Sequence, residues 1–277
     1  MSSKIGSESI NELGDRLEAL EMAEAGRAMM PGLPVVARLD GRAFHTFTRG
    51  LQRPFDPQMG SAMQAVTASL VEEFHADVGY TQSDEITLVW KNPTLFSGRF
   101  QKLTSVLAGY ASARFAKGLA AYFCRPEYKR QARMTPCFDC RVFQVPDLNT
   151  VIDVLAWREY DAVKNSVSMA AQANYSHKEL HGKGRADQMD MLHAKGINWN
   201  NYPIHFKRGR YFKRYTIERH LTVQELEDIP EKYRPTGPVL RSEILPVKEL
   251  DAEPIRWLGT VRAIGILFPV EEGVENV

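Results

Sequence analysis

Two aspartates are placed to do chemistry together. Asp40 ends the apolar run Leu33-Pro34-Val35-Val36-Ala37-Arg38-Leu39, and Asp84 lies within Gln82-Ser83-Asp84-Glu85. Carboxylate oxygens suit Mg²⁺, which keeps several waters and usually takes one or two protein carboxylates plus substrate phosphates. Two such ions, roughly 3.5–4 Å apart, can clamp the attacking and leaving oxygens of a phosphoryl-type displacement. Gly41 follows Asp40 and, lacking a side chain, lets backbone approach a metal or a phosphate closely. Asp-Gly also occurs in ordinary turns, so the pair gains meaning only if the fold unites the two aspartates.

The surrounding pattern supplies such a fold. Residues 33–39 read as a buried strand and 57–74 as a helix with Met59, Met63, Val66, Leu70 and Phe74 on one side. Residues 78–81 and 86–90 read as a hairpin with Gln82 to Glu85 at its turn. A long helical segment spans 98–123, and 138–145 is a further strand bounded by Pro136 and Pro146. The order is βαββαβ, expected to give an antiparallel sheet with helices on one face. There the first and third strands are neighbours, so Asp40 comes close to the turn that carries Asp84. The expected fold class is α+β: a ferredoxin-like βαββαβ domain over 1–146 with a mostly helical C-terminal extension over 147–277. In that extension, helices are expected at 149–173 and 186–195 and a strand-like stretch at 206–215, while the last 60 residues yield no assignment. Before the first strand, Ser9 and Glu12 fit a capping box, and Ile10, Leu13, Leu17 and Leu20 form a helical stripe.

Two further constellations carry charge. Arg99 and Lys102 stand three apart at a helix start, an arrangement suited to triphosphate oxygens. Residues 205–215 alternate basic and aromatic side chains, a mix that suits a phosphate backbone with stacked bases and points to Lys207, Arg208 and Arg210 as RNA contacts. The pair Cys137 and Cys140 lacks the further ligands that zinc needs and sits in a strand. No Walker A, GxGxxG, HExxH or nucleophile-elbow motif occurs, which removes support for a serine or cysteine hydrolase.

Arg38-Leu39-Asp40-Gly41-Arg42-Ala43-Phe44-His45, followed by Gln82-Ser83-Asp84-Glu85, resembles the tRNA-His guanylyltransferase family. The resemblance extends through Leu13-Gly14-Asp15-Arg16, Phe138-Asp139-x-Arg141, Trp157-Arg158-x-x-Asp161 and Ile197-Asn198-Trp199-Asn200-Asn201. It implies a polymerase-palm catalytic domain and 3′–5′ nucleotide addition to tRNA 5′ ends: ATP activates the end, then the 3′-hydroxyl of GTP or another nucleoside triphosphate attacks it. It further implies catalytic Asp40 and Asp84, and two Mg²⁺ held by these and the Gly41 carbonyl. Nucleotide contacts would come from Asp40, Gly41, Arg42, Ala43, Phe44, His45, Ser83 and Asp84, with Arg99 and Lys102 on the triphosphate. A homotetramer is implied as well. Val163-Lys164-Asn165 departs from the histidine-containing motif of the eukaryotic branch, so the chain looks more like the guanylyltransferase-like branch that repairs 5′ ends on a template. The rival readings are strict addition of a guanosine at position −1 of tRNA-His, a nucleotide cyclase-like enzyme that does not use RNA, and a non-catalytic RNA-binding protein that kept the fold.

Composition bounds these readings. With 35 Lys+Arg against 34 Asp+Glu, a net charge of +1 excludes coating of nucleic acid by bulk charge. Three cysteines form no disulfide framework, so a reducing, cytoplasmic setting is expected. The start of the chain has no apolar core of a signal peptide, and no run of 18 apolar residues exists to span a membrane.

Overall fold

The computed structural model describes residues 10–93 and 95–269. Helix α1 (Ile10–Ala25) precedes β1 (Val35–Gly41), the short α2 (Phe44–Phe47) and α3 (Pro57–Glu73). The hairpin β2 (Val78–Gln82) and β3 (Glu85–Trp90) leads to α4 (Phe100–Leu119) and β4 (Phe138–Gln144). Then follow α5 (Leu148–Gln172), α6 (His177–Leu180), α7 (Arg185–Ala194), α8 (Ile204–Lys207) and β5 (Arg210–Arg219). The chain continues through α9 (Val223–Glu227), β6 (Val239–Pro246), α10 (Lys248–Ala252), α11 (Ile255–Leu258) and α12 (Thr260–Leu267).

All six strands join one antiparallel sheet in the order β4-β1-β3-β2-β5-β6. The expected strand and helix succession up to residue 144 is therefore observed, with β1 beside β3. Local signals explain the boundaries. Asp56 caps α3, its carboxylate accepting from the Gln58 and Met59 N–H groups at 3.0 Å, and Pro57 fits the first helical position. Asp147 caps α5 in the same way through Thr150. The proposed cap residue Ser9 lies outside the described residues. The α1 stripe finds little cover, since Leu17 and Leu20 are 46% and 60% exposed.

Alternation along the strands splits the core in two. Val35, Ala37 and Leu39 face α3 and α4, meeting Met63, Leu70, Leu107 and Phe115. Val36, Val78, Tyr80 and Val89 face the other way, against Leu155 of α5 and Ile255, Leu258 and Leu267 of α11 and α12. Helices on one face are thus too few: the residues after 147 roof the second face. They also lengthen the sheet, because β5 pairs with β2 through Gly79↔Phe212, Tyr80↔Tyr211 and Thr81↔Arg210. The extension, expected to be mostly helical, supplies two strands. The stretch 206–215 is not one strand either. It turns from α8 into β5 at Gly209, whose positive φ of 78° and close approach to Tyr80 suit only glycine.

Candidate active site

The β1–β3 pairing sets Asp40 opposite Glu85, and the Gly41 N–H donates to the Asp84 carbonyl at 3.0 Å. Asp84 occupies the second position of a two-residue turn whose first residue, Ser83, has a φ of 49°. Both aspartates line the mouth of a 570 Å³ cleft bounded by the loop after β1, the start of α3, the hairpin turn, the end of α5 and α8. Burial, and next the Asp40 carboxylate, push the Asp84 carboxyl up to about 6. Two carboxylates confined together in this way repel one another, and a cation between them would relieve that repulsion.

The loop that follows Asp40 is fixed by aromatic packing. Phe44 centres 5.2, 5.3 and 5.1 Å from Phe47, Phe115 and Phe138. A Cβ at Gly41 would lie 2.5–2.8 Å from atoms of the Phe44 ring, so the loop closes only over glycine. Ala43 holds a left-handed φ of 57°, and its carbonyl accepts from the Thr46 and Phe47 N–H groups. Behind it, the buried Gln131 amide donates to the Phe47 carbonyl at 2.6 Å. Gly41, Ala43, Phe44, His45 and Ser83 all line the cleft with the two aspartates. Arg42 does not: its side chain is exposed outside the lining, and its N–H is taken by the Cys137 carbonyl.

Beneath the hairpin, Glu85 is buried and ion-paired. The Arg158 guanidinium donates to Glu85 Oε1 at 2.6 Å and to Asp161 Oδ2 at 2.9 Å, and Arg38 lies 4.0 Å from Glu85 Oε2. Helix α5 therefore grips the residue next to Asp84. A second buried carboxylate, Glu159, takes Arg208, the Tyr211 hydroxyl and the Ile255 N–H. Both ionisations are raised by burial and held back by these partners.

The structure does not bring the remaining expected residues to the cleft. Arg99 and Lys102 lie at the start of α4, in a shallow depression against α1, with Lys102 over the Phe96 ring. Only the far end of α4, at Phe115, reaches Phe44, and roughly 24 Å of helix at about 1.5 Å per residue separates Arg99 from it. Nor do Lys207, Arg208 and Arg210 form an open basic patch. Arg208 pairs with Glu159 and donates to the Leu250 and Asp251 carbonyls, while Arg210 pairs with Asp251 at 3.0 Å and bonds Gln64. Lys207 donates to the Asn200 carbonyl beside Trp199.

A family model described as tRNAHis guanylyltransferase matches residues 17–146, the span that holds Asp40, Asp84 and the first four strands. The tRNA(His) guanylyltransferase of Saccharomyces cerevisiae is 27% identical over 227 residues, covering 76% of this chain and 95% of the relative. A solved bacterial tRNA(His) guanylyltransferase-like protein in complex with ATP superposes with a TM-score of 0.73 at 27% identity, over 93% of this chain and 100% of that one. A second solved complex, with GTP, gives a TM-score of 0.65 at 27% identity, over 91% and 98%. Together these likenesses support assignment of the chain to the tRNAHis guanylyltransferase family. The chain is accordingly a nucleotidyltransferase. No helix of the described residues is long and apolar enough to cross a membrane.

Set against this family, the sequence reading overlooked what steadies the site. Glu85 and Arg158 both stood in quoted motifs without a role. The one available signal was their type: an Arg on the apolar side of a long helix and a Glu inside a strand each need a partner when buried. Gln131, which donates to the Phe47 carbonyl behind the loop, carried no signal beyond its identity, while Asp56 and His205 stood in a cap and a basic stretch that did not point to the cleft.

Proposed function

We propose that this family member is a Mg²⁺-dependent 3′–5′ nucleotidyltransferase acting on tRNA 5′ ends, of the branch that rebuilds a missing 5′ nucleotide against the opposing base. The observation that carries the reading is the placement of Asp40 and Asp84 at one cleft mouth by the Gly41–Asp84 backbone bond. The sheet order agrees with a ferredoxin-like palm, with the catalytic pair on its two central strands. Names of solved relatives in complex with ATP and with GTP support the nucleotide classes.

The donor set fits Mg²⁺. Two carboxylates and the Gly41 carbonyl leave room for water and phosphate oxygens, and a cation would favour the ionised Asp84 carboxyl that burial, and next Asp40, disfavour. Bound there, the metal would neutralise phosphate charge and lower the barrier to attack at phosphorus. The chain's own contribution is positional. The Phe44 cluster fixes the loop from Gly41 to His45 at the triphosphate side, and Arg158 through Glu85 fixes the turn that carries Asp84. Gln64, Gln172 and His205 line the cleft, where polar edges suit a nucleobase. In the proposed cycle, the tRNA 5′-phosphate attacks ATP and pyrophosphate leaves. The 3′-hydroxyl of the incoming nucleotide then attacks the adenylylated end and AMP leaves.

Arg99 and Lys102 can serve a triphosphate only from another copy of the chain, given their distance along α4. The proposal therefore includes an oligomer, and the resemblance to the family implies a homotetramer, which mass photometry tests directly. Activity is tested with a tRNA that lacks its 5′-terminal nucleotide and bears a labelled 5′-monophosphate, given Mg²⁺, ATP and each nucleoside triphosphate in turn. Extension only by the nucleotide that pairs with the opposing base supports templated repair. Guanosine addition confined to full-length tRNA-His refutes it.

A further inference from the structure

A second groove, of 420 Å³, lies across α8 from the catalytic cleft. His205 and Phe206 of α8 line the first site, and Ile204 and Lys207 line the second. Its walls are aromatic and unusually open: Trp257 is 65% exposed and Tyr160 45%. Large aromatic rings left in water at a concave surface mark sites of contact.

Cations sit over these rings. The Arg256 guanidinium is 5.9 Å from the Tyr160 centroid and 5.5 Å from that of Trp257. Lys207 Nζ is 5.3 Å from the Trp199 centroid, and the Trp199 ring is pinned by its N–H donating to Ser166 Oγ at 3.2 Å. The carboxylates at the groove are already spoken for, Glu159 by Arg208, Tyr211 and the Ile255 N–H, and Asp251 by Arg210. Neither Lys207 nor Arg256 forms an ion pair among the described residues. The groove thus offers flat apolar faces and two cations without a close ion-pair partner, Arg256 acting on Glu159 only through the longer-range field. A matching ligand has a π-face and an adjacent anion.

We propose that this groove binds an unpaired nucleotide of an RNA, its base against Trp257 and Tyr160 and its phosphate at Arg256 and Lys207. Resting on the RNA substrate proposed above, the inference adds a holding point one helix away from the chemistry. A strand leaving the catalytic cleft over α8 would enter it. Stacking on an aromatic side chain is tolerant of sequence, so the groove would grip an RNA without reading it.

Anisotropy of a labelled single-stranded RNA hexamer, with the full-length Asp40→Ala protein as background, tests the groove apart from catalysis. Trp257→Ala is expected to weaken binding about tenfold or more, and Trp257→Phe to stay within about threefold, because a π-face remains. Arg256→Gln with Lys207→Gln should lower the slope of log affinity on log salt by about 1. Unchanged affinity in both the Trp257→Ala protein and the double charge variant would overturn the proposal. So would ATP alone binding with the same dependence on Trp257 and displacing the hexamer, since the occupant would then be a free nucleotide. Failure of nucleotide addition in the wild-type protein refutes the proposed function and leaves this binding series intact.

Discussion

Asp84 and Glu85 are consecutive acidic residues, and the fold treats them oppositely. Glu85 points to the roofed face of the sheet and meets Arg158 at 2.6 Å, with Arg38 beyond. Asp84 turns into the cleft, where the charge that acts on it most is another carboxylate, Asp40. The same contrast separates the acidic pair from the basic stretch. Arg208 and Arg210 each end on a carboxylate, whereas Asp40 and Asp84 have no ion-pair partner among the described residues. Charges that the chain neutralises itself hold the architecture, and charges it leaves opposed await something from outside.

That contrast can be broken by substitution. The largest effect is expected at the unpartnered pair. Asp40→Ala or Asp84→Ala should cut nucleotide addition by about a thousandfold or more while circular dichroism stays unchanged, as loss of a metal ligand predicts. Wild-type turnover from either variant would place the chemistry elsewhere. Next comes the partnered residue. Arg158→Ala leaves Glu85 buried without its guanidinium and should cost about 3–5 kcal/mol in urea unfolding. Adding Glu85→Leu to Arg158→Met should recover much of that loss, and no recovery would mean the pair does more than balance charge.

Asp84 gives a pH test of the same idea. Its carboxyl ionises about two units above its ordinary value, from 3.8 to about 6, so the folded protein binds a proton more tightly than the unfolded chain. The stability from this group is fully present below about pH 4 and is lost as pH rises through about 6. Without metal, Asp84→Asn should therefore raise stability at pH 8 by on the order of 2–3 kcal/mol, and much less at pH 4. An equal gain at both pH values would remove repulsion as the cause. The smallest effect belongs to the basic stretch. Arg210→Gln should lower stability by about 1 kcal/mol and leave the salt slope of RNA binding alone. A reduced slope would return Arg210 to the RNA surface.

The βαββαβ succession was legible because every one of its elements carries a local signal. Apolar periodicity marks α3, β-branched runs mark β1 and β3, and the two-residue turn at Ser83 and Asp84 sets the hairpin register. Adjacency of β1 and β3 then made the aspartate pair readable. The basic stretch is harder to read, because sign and spacing are local but partners are not. Glu159 and Asp251, which absorb Arg208 and Arg210, lie over 40 residues away in sequence. Arg99 and Lys102 could not be placed from sequence for a geometric reason: a position at the start of a helix says nothing about which end of the sheet that start occupies. The last segment stayed unread because its helices are short and its proline-bounded strand β6 is mostly exposed along its first half.

The roof over the second sheet face has one more consequence. The family model's match ends at residue 146, yet Val36, Val78 and Val89 within it are covered by α5, α11 and α12, and Glu85 is answered from α5. The stretch that the family model matches and the stretch that closes the core are then different lengths of chain. Drift after residue 146 can change what the enzyme grips, but only along sequences that still shelter those valines and still answer Glu85.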